Sequence, residues 1–225
     1  MADLRRRAFA GLAQLLVILS LLLFLPAGTI RFWEAWVYLA LFTAFVLTVT
    51  LYLLRHDPGL VESRMKVGPV AERQTNQKII QGLATLFFVA LFVVPALDRR
   101  FHVSAVPVAL VLAGDVLVVA GCAVAFLSLR ENSFASSTIE VAANQRVIST
   151  GVYGVVRHPL YAGALLLLAA TPLALASWWG LALVPPMIAV IAARLVDEER
   201  YLARNLAGYE AYRATVRSRL IPWVW

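Results

Sequence analysis

The sequence predicts an all-α protein, a polytopic transmembrane helical bundle of five to six membrane helices closed by a C-terminal helical hairpin. Three observations carry this. Hydrophobic residues make up 61% of the 225-residue chain, against about 45–50% in soluble domains. Mean hydropathy is +0.79. Runs nearly free of charge recur at 8–25, 35–54, 79–97, 105–127, 159–179 and 180–196, most of them near the roughly 20 residues that cross a bilayer as helix.

The first run follows Arg5, Arg6 and Arg7 and so imitates a secretory signal. It lacks a small-x-small cleavage site and further spans follow, which favours an uncleaved first helix. With the next three runs it forms an N-terminal membrane region, 1–129, of about four spans. The remaining residues, 130–225, hold the last two runs and most of the distinctive polar residues. Only Ser177, Trp178, Trp179 and Gly180 separate those runs, and Pro172, Pro185 and Pro186 lie within them, so they read as a tight hairpin or as one span beside a kinked, re-entrant helix.

Of 20 lysines and arginines, only Arg31, Arg99 and Arg100 fall on the side opposite the termini. The positive-inside rule therefore places both termini and the longer connections in the cytoplasm. This distribution accounts for the net charge of +7 through contact with anionic membrane lipids, without nucleic acid as a partner. Cys122, the single cysteine, lies in an apolar run, forms no internal disulfide and reads as a packing residue.

Polar residues gather at 55–78, 130–158 and 197–220. The first segment mixes charge signs with Pro58, Gly59, Gly68 and Pro69 and reads as a solvated connector with one amphipathic turn. The second has no helical period and reads as an ordered irregular cover. The third continues the last apolar run as helix, with a break near Gly208.

No glycine-rich dinucleotide fingerprint, P-loop, H-E-x-x-H or C-x-x-C occurs, so a nucleotide-derived ligand requires a non-Rossmann pocket. Three histidines (His56, His102, His158) and one cysteine are too scattered for a metal centre. Asp115 is an acid well inside a span. It is either functional or paired with a polar group on a neighbouring helix.

Two clusters carry the strongest signal. In GVYGVVRHPLYAG, 151–163, Pro159 suits the first position of a helix and leaves His158 near its cap. The free N–H groups there suit a polar or anionic ligand, Tyr153 and Tyr161 add aromatic faces, and Arg157 reads as an interface anchor. In RLVDEERYL, 194–202, Arg194, Glu198 and Tyr201 share one helical face. Arg194 interrupts an apolar helix, which is costly without a partner or a wet cavity.

These stretches, with Gly208-Tyr209-x-x-Tyr212 and Arg219-Leu-Ile-Pro222, stand in the order and spacing of the isoprenylcysteine carboxyl methyltransferases, and the sequence resembles that family and the related phospholipid methyltransferases over residues 130–222. The resemblance implies S-adenosylmethionine as cofactor, bound by Gln145, Arg146, Val147, Ile148, Tyr153, His158, Pro159, Leu160, Tyr161 and Glu198. It also implies Arg194 as the residue that orients the substrate, and Arg194 with Glu198 as the catalytic pair. Gln145, Val152 and the loop from Ser133 to Ala143 depart from the family pattern. The implied acceptor is a lipidated or lipophilic carboxylate. An amine headgroup, a non-catalytic binding or transport role and a reductase-like activity are the alternatives, and the oligomeric state stays open.

Overall fold

A computed structural model describes residues 1–65, 75–139, 141–142 and 144–225. It is all-helical, with no strand among the described residues. Among the described residues, five helical stretches are long and apolar enough to cross a membrane: α1 (Ala2–Ala27), α2 (Trp33–His56), α4 (Thr75–Phe101, apolar from Gln77), α5 (Val108–Glu131), and Trp178–Asn205, which comprises α7 (Trp178–Leu181) and α8 (Val184–Asn205). Between α2 and α4 lies a short helix, α3 (Pro58–Arg64). The fifth apolar run becomes α6 (Pro159–Ala174), whose 16 residues rise only about 24 Å. The expected hairpin is therefore an unequal one, with α6 the short arm, α8 the long arm and α7 at the turn.

Pro185 and Pro186 do not kink a span, because they fall in the first turn of α8, where missing N–H groups cost nothing. Packing centres on α5 against α6. A Cβ on Gly121 would lie 2.6 Å from the Leu167 nitrogen and 2.7 Å from the Gly163 carbonyl oxygen, so only glycine permits this backbone approach. Around this pair, Leu19, Leu23, Phe32, Tyr38, Phe92 and Val118 form a closed core, and the buried Tyr38 hydroxyl is 3.1 Å from Thr171 Oγ1. Cys122 is buried in the same core, as its surroundings in sequence suggest.

Asp115 is also buried, but neither carboxylate oxygen has a hydrogen-bond partner among the described residues. Of the two alternatives for Asp115, pairing with a polar group on a neighbouring helix is not found among the described residues.

At the end of the bundle where α6 begins, the irregular residues 132–139, 141–142 and 144–150 lie over the helix ends, and a 3-10 turn, Gly151–Gly154, leads into α6. The chain turns at Gly208, whose φ of 81° suits glycine, into α9 (Tyr209–Thr215). The expected connector at 55–78 holds α3, docked through buried Leu60 and Val61 against Leu4, Leu53, Leu54 and Leu129. Its remainder, at 66–74, lies outside the described residues.

Candidate active site

The covering segment lines one side of a cavity of about 430 Å³. Gln145, Arg146, Val147, Ile148, Tyr153, His158, Leu160, Tyr161, Arg194 and Glu198 all line it, so residues separated by as many as 53 positions in sequence converge there. Pro159 does not line it. Its part is to open α6, with His158 at the N-cap.

The two catalytic candidates meet through a third residue. The Tyr161 hydroxyl donates to Glu198 Oε2 at 2.6 Å and accepts from Arg194 Nε at 3.1 Å. The phenol in this array therefore comes from α6, and Tyr201, on the same helix as Arg194, is not part of the lining. Arg194 is 9% exposed and also donates from Nη1 to Gln77 Oε1 at 3.0 Å and from Nη2 to the Ser137 carbonyl at 2.9 Å. A guanidinium inside an apolar helix is thereby solvated by protein groups, as its position demands.

Gln77, 1% exposed, passes this restraint on: its amide nitrogen donates to Asp197. Asp197 lines a separate groove between α4 and α8, about 590 Å³, with Ile79, Ile80, Ala192, Ala193, Val196 and Arg200. Buried Gln77 lines neither space, but its hydrogen bonds link Arg194 of the polar cavity to Asp197 of the groove.

Behind the cavity wall lies a hub that the sequence reading missed. Glu199, 3% exposed, accepts from Arg157 Nε at 2.6 Å and Arg219 Nε at 2.9 Å, and lies 3.2 Å from His158 Nε2. Arg157 was expected to anchor the interface. It is instead buried, and its Nη1 also donates to the carbonyls of Val216 and Arg217. The backbone N–H groups of Arg157 and His158 donate to Ser218 and Arg219, so the C-terminal segment is strapped across the start of α6. The doublet Glu198-Glu199 was the available signal: adjacent helical residues diverge by about 100°, so one faces the cavity and the other the strap.

Tyr209 and Tyr212 complete the wall. The Tyr212 hydroxyl donates to the Tyr153 carbonyl at 2.7 Å, while the buried Tyr209 hydroxyl has no partner among the described residues. Burial pushes the Tyr153 phenol up to about 12 and raises both Tyr209 and Tyr212. All three therefore stay protonated at neutral pH and keep a hydroxyl proton that can be donated. Arg64 and Gln81 enter the lining from the first 129 residues. Burial lowers the Arg64 guanidinium, yet arginine begins so high that it remains a cation. Among the described residues no cluster of His, Cys, Asp and Glu could hold a metal ion.

No curated protein matches the chain. Residues 109–208, which supply the whole cavity lining except Arg64, Gln81, Tyr209 and Tyr212, match the family model for phospholipid methyltransferases. Over that segment the chain is similar to the integral membrane methyltransferases, a family that includes the isoprenylcysteine methyltransferases.

Proposed function

We propose that the cavity is the active site of an S-adenosylmethionine-dependent carboxyl O-methyltransferase acting on a lipidated or lipophilic acid, such as an isoprenylcysteine. The observation that carries this reading is the array Arg194–Tyr161–Glu198, a cation and a carboxylate on either side of one phenol, with Gln77 linking Arg194 by hydrogen bonds to Asp197 of the α4–α8 groove.

The lining suits the cofactor. Its volume falls within the roughly 300–1,000 Å³ of small-molecule sites. Glu198 offers a carboxylate to a cationic ligand, Tyr153, Leu160 and Tyr161 offer apolar and aromatic surface, and the partnerless Tyr209 hydroxyl is a donor in want of an acceptor. Gln145, Arg146, Val147, Ile148 and His158 complete the set that would hold it, with Pro159 fixing the start of α6. Bound there, S-adenosylmethionine supplies a methyl group already activated by a sulfonium.

The protein's remaining task is alignment. A carboxylate acceptor carries its own negative charge, so no residue needs to act as general base. Arg194 can orient such a carboxylate through its planar fork, with Tyr161 and Gln77 fixing the guanidinium. The cover from Asn132 to Ile139 excludes water and favours the aligned geometry. A lipophilic acceptor reaches Arg194 from the groove between α4 and α8, and the cofactor comes from the aqueous side. By the distribution of Lys and Arg, that side is the cytoplasm.

The second reading is N-methylation of a phospholipid amine, favoured by the description of the matching family. It requires a neutral amine and a route for its proton, and Arg194 has no evident role in either. Membranes containing the protein, incubated with methyl-labelled S-adenosylmethionine, separate the two. Label released by alkali as methanol is the expected result, and label that survives base treatment would reject the carboxyl reading.

A further inference from the structure

We propose that Arg64 anchors the α-carboxylate of S-adenosylmethionine. This rests on the cofactor reading above and adds to it a ligand contact from outside the segment that matches the family.

Arg64 closes α3, which is a built element. Asp57 caps it by accepting from the Leu60 nitrogen at 3.0 Å, and Leu60 and Val61 bury its inner face. The side chain reaches under the cover, where Nη1 donates to the Ala135 carbonyl at 2.8 Å, and Ser137 Oγ donates back to the Arg64 carbonyl at 3.2 Å. A guanidinium has five N–H donors. This one makes a single hydrogen bond and no ion pair among the described residues, although it lines the cavity and lies near the Tyr153 and Tyr161 phenols.

The other lining cations are differently placed. Arg157 and His158 are held by Glu199. Arg194 already bonds Tyr161, Gln77 and Ser137. Arg146 is exposed at the rim. Arg64 is therefore the interior cation with the most donors left to give, and a partly buried cation is best satisfied by a carboxylate received in bidentate fashion.

Two anionic groups need such a partner during carboxyl methylation, the cofactor's α-carboxylate and the acceptor's carboxylate. The fold separates them. Arg64 sits on the connection between two spanning helices, the watery side of the site, whereas Arg194 sits on a spanning helix beside the α4–α8 groove. The water-soluble zwitterion belongs at Arg64 and the lipid-soluble acid at Arg194.

The test is isothermal titration of the full chain in lipid nanodiscs with S-adenosylhomocysteine and with its decarboxylated analogue, which keeps the amine and adenosine. Charge-assisted hydrogen bonds imply that Arg64→Gln weakens S-adenosylhomocysteine binding about ten- to a hundredfold and leaves the decarboxylated analogue unchanged, with Arg64→Lys intermediate. Equal weakening of both ligands, loss of both, or unchanged binding of S-adenosylhomocysteine would each overturn the assignment of Arg64. A wild-type chain with no affinity for S-adenosylhomocysteine would remove the cofactor reading itself, and Arg64 with it.

Discussion

The polar knot around Asp98 and the cavity at the other end of the bundle use polar residues in opposite ways. At the end where α4 finishes, Asp98 accepts from the Ser104 nitrogen at 2.7 Å, from Ser104 Oγ at 2.6 Å and from Ser177 Oγ at 2.5 Å. Ser177 Oγ in turn caps α7 by accepting from the Gly180 nitrogen, and Ser104 Oγ accepts from the Trp178 nitrogen. The donors and acceptors of this knot are used on one another, and they tie three chain segments together. At the end where α6 begins, polar side chains instead surround about 430 Å³ and leave capacity unused, in Arg64 and in the Tyr209 hydroxyl. Closed polar networks in a membrane protein report turns that must hold. Incompletely satisfied ones around a cavity report a ligand.

Within the second end the hub and the lining should separate in the same manner. Glu199→Ala leaves Arg157, His158 and Arg219 without their shared carboxylate, and should cost about 3–5 kcal/mol, the largest effect in the molecule, read as a fall in thermal unfolding temperature. A loss of methyl transfer with unchanged stability would move Glu199 from support into the chemistry. Next comes Asp98→Ala at the closed end, which removes three hydrogen bonds to a charged acceptor. It should cost about 1.5–3 kcal/mol in the same assay, with methyl transfer per folded molecule retained.

Gly121→Ala tests whether the two ends share one rigid spine. The added Cβ meets α6 backbone and should cost about 1–3 kcal/mol by overpacking. Smallest is Tyr209→Phe. Deleting a buried hydroxyl that has no partner should change ligand-free stability by less than about 1 kcal/mol, in the stabilising direction, while lowering affinity for S-adenosylhomocysteine in a titration. A clear loss of stability would mean that the hydroxyl is engaged within the protein.

Much of this was legible in the sequence because membrane helices announce themselves by length and apolarity, and because Pro159, Gly208 and the R-x-x-x-E-E pattern act locally. The break at Gly208 and the start of α6 fall where backbone chemistry puts them. What escaped depends on contacts between distant segments. Arg157 looked like an interface anchor because a sequence does not reveal that the strap at 216–219 covers it. The array phenol was assigned to Tyr201 from helical spacing, but Tyr161 reaches Arg194 and Glu198 from the facing helix. Gln77 and Arg64 carried no local pattern at all, and only tertiary packing brings Arg64 to the cavity and Gln77 to Arg194.

The most direct measurement is base-labile methyl incorporation from labelled S-adenosylmethionine, compared per folded molecule in wild type, Arg194→Ala and Asp98→Ala. Both variants remove a buried charge, one from each end. Label released as methanol should be abundant in wild type, preserved in Asp98→Ala and lost by at least about a hundredfold in Arg194→Ala, as expected when a charged group that orients the substrate is removed. Equal incorporation in the two variants, or label that resists alkali throughout, would contradict the assignment of the open end as a carboxyl methyltransferase site.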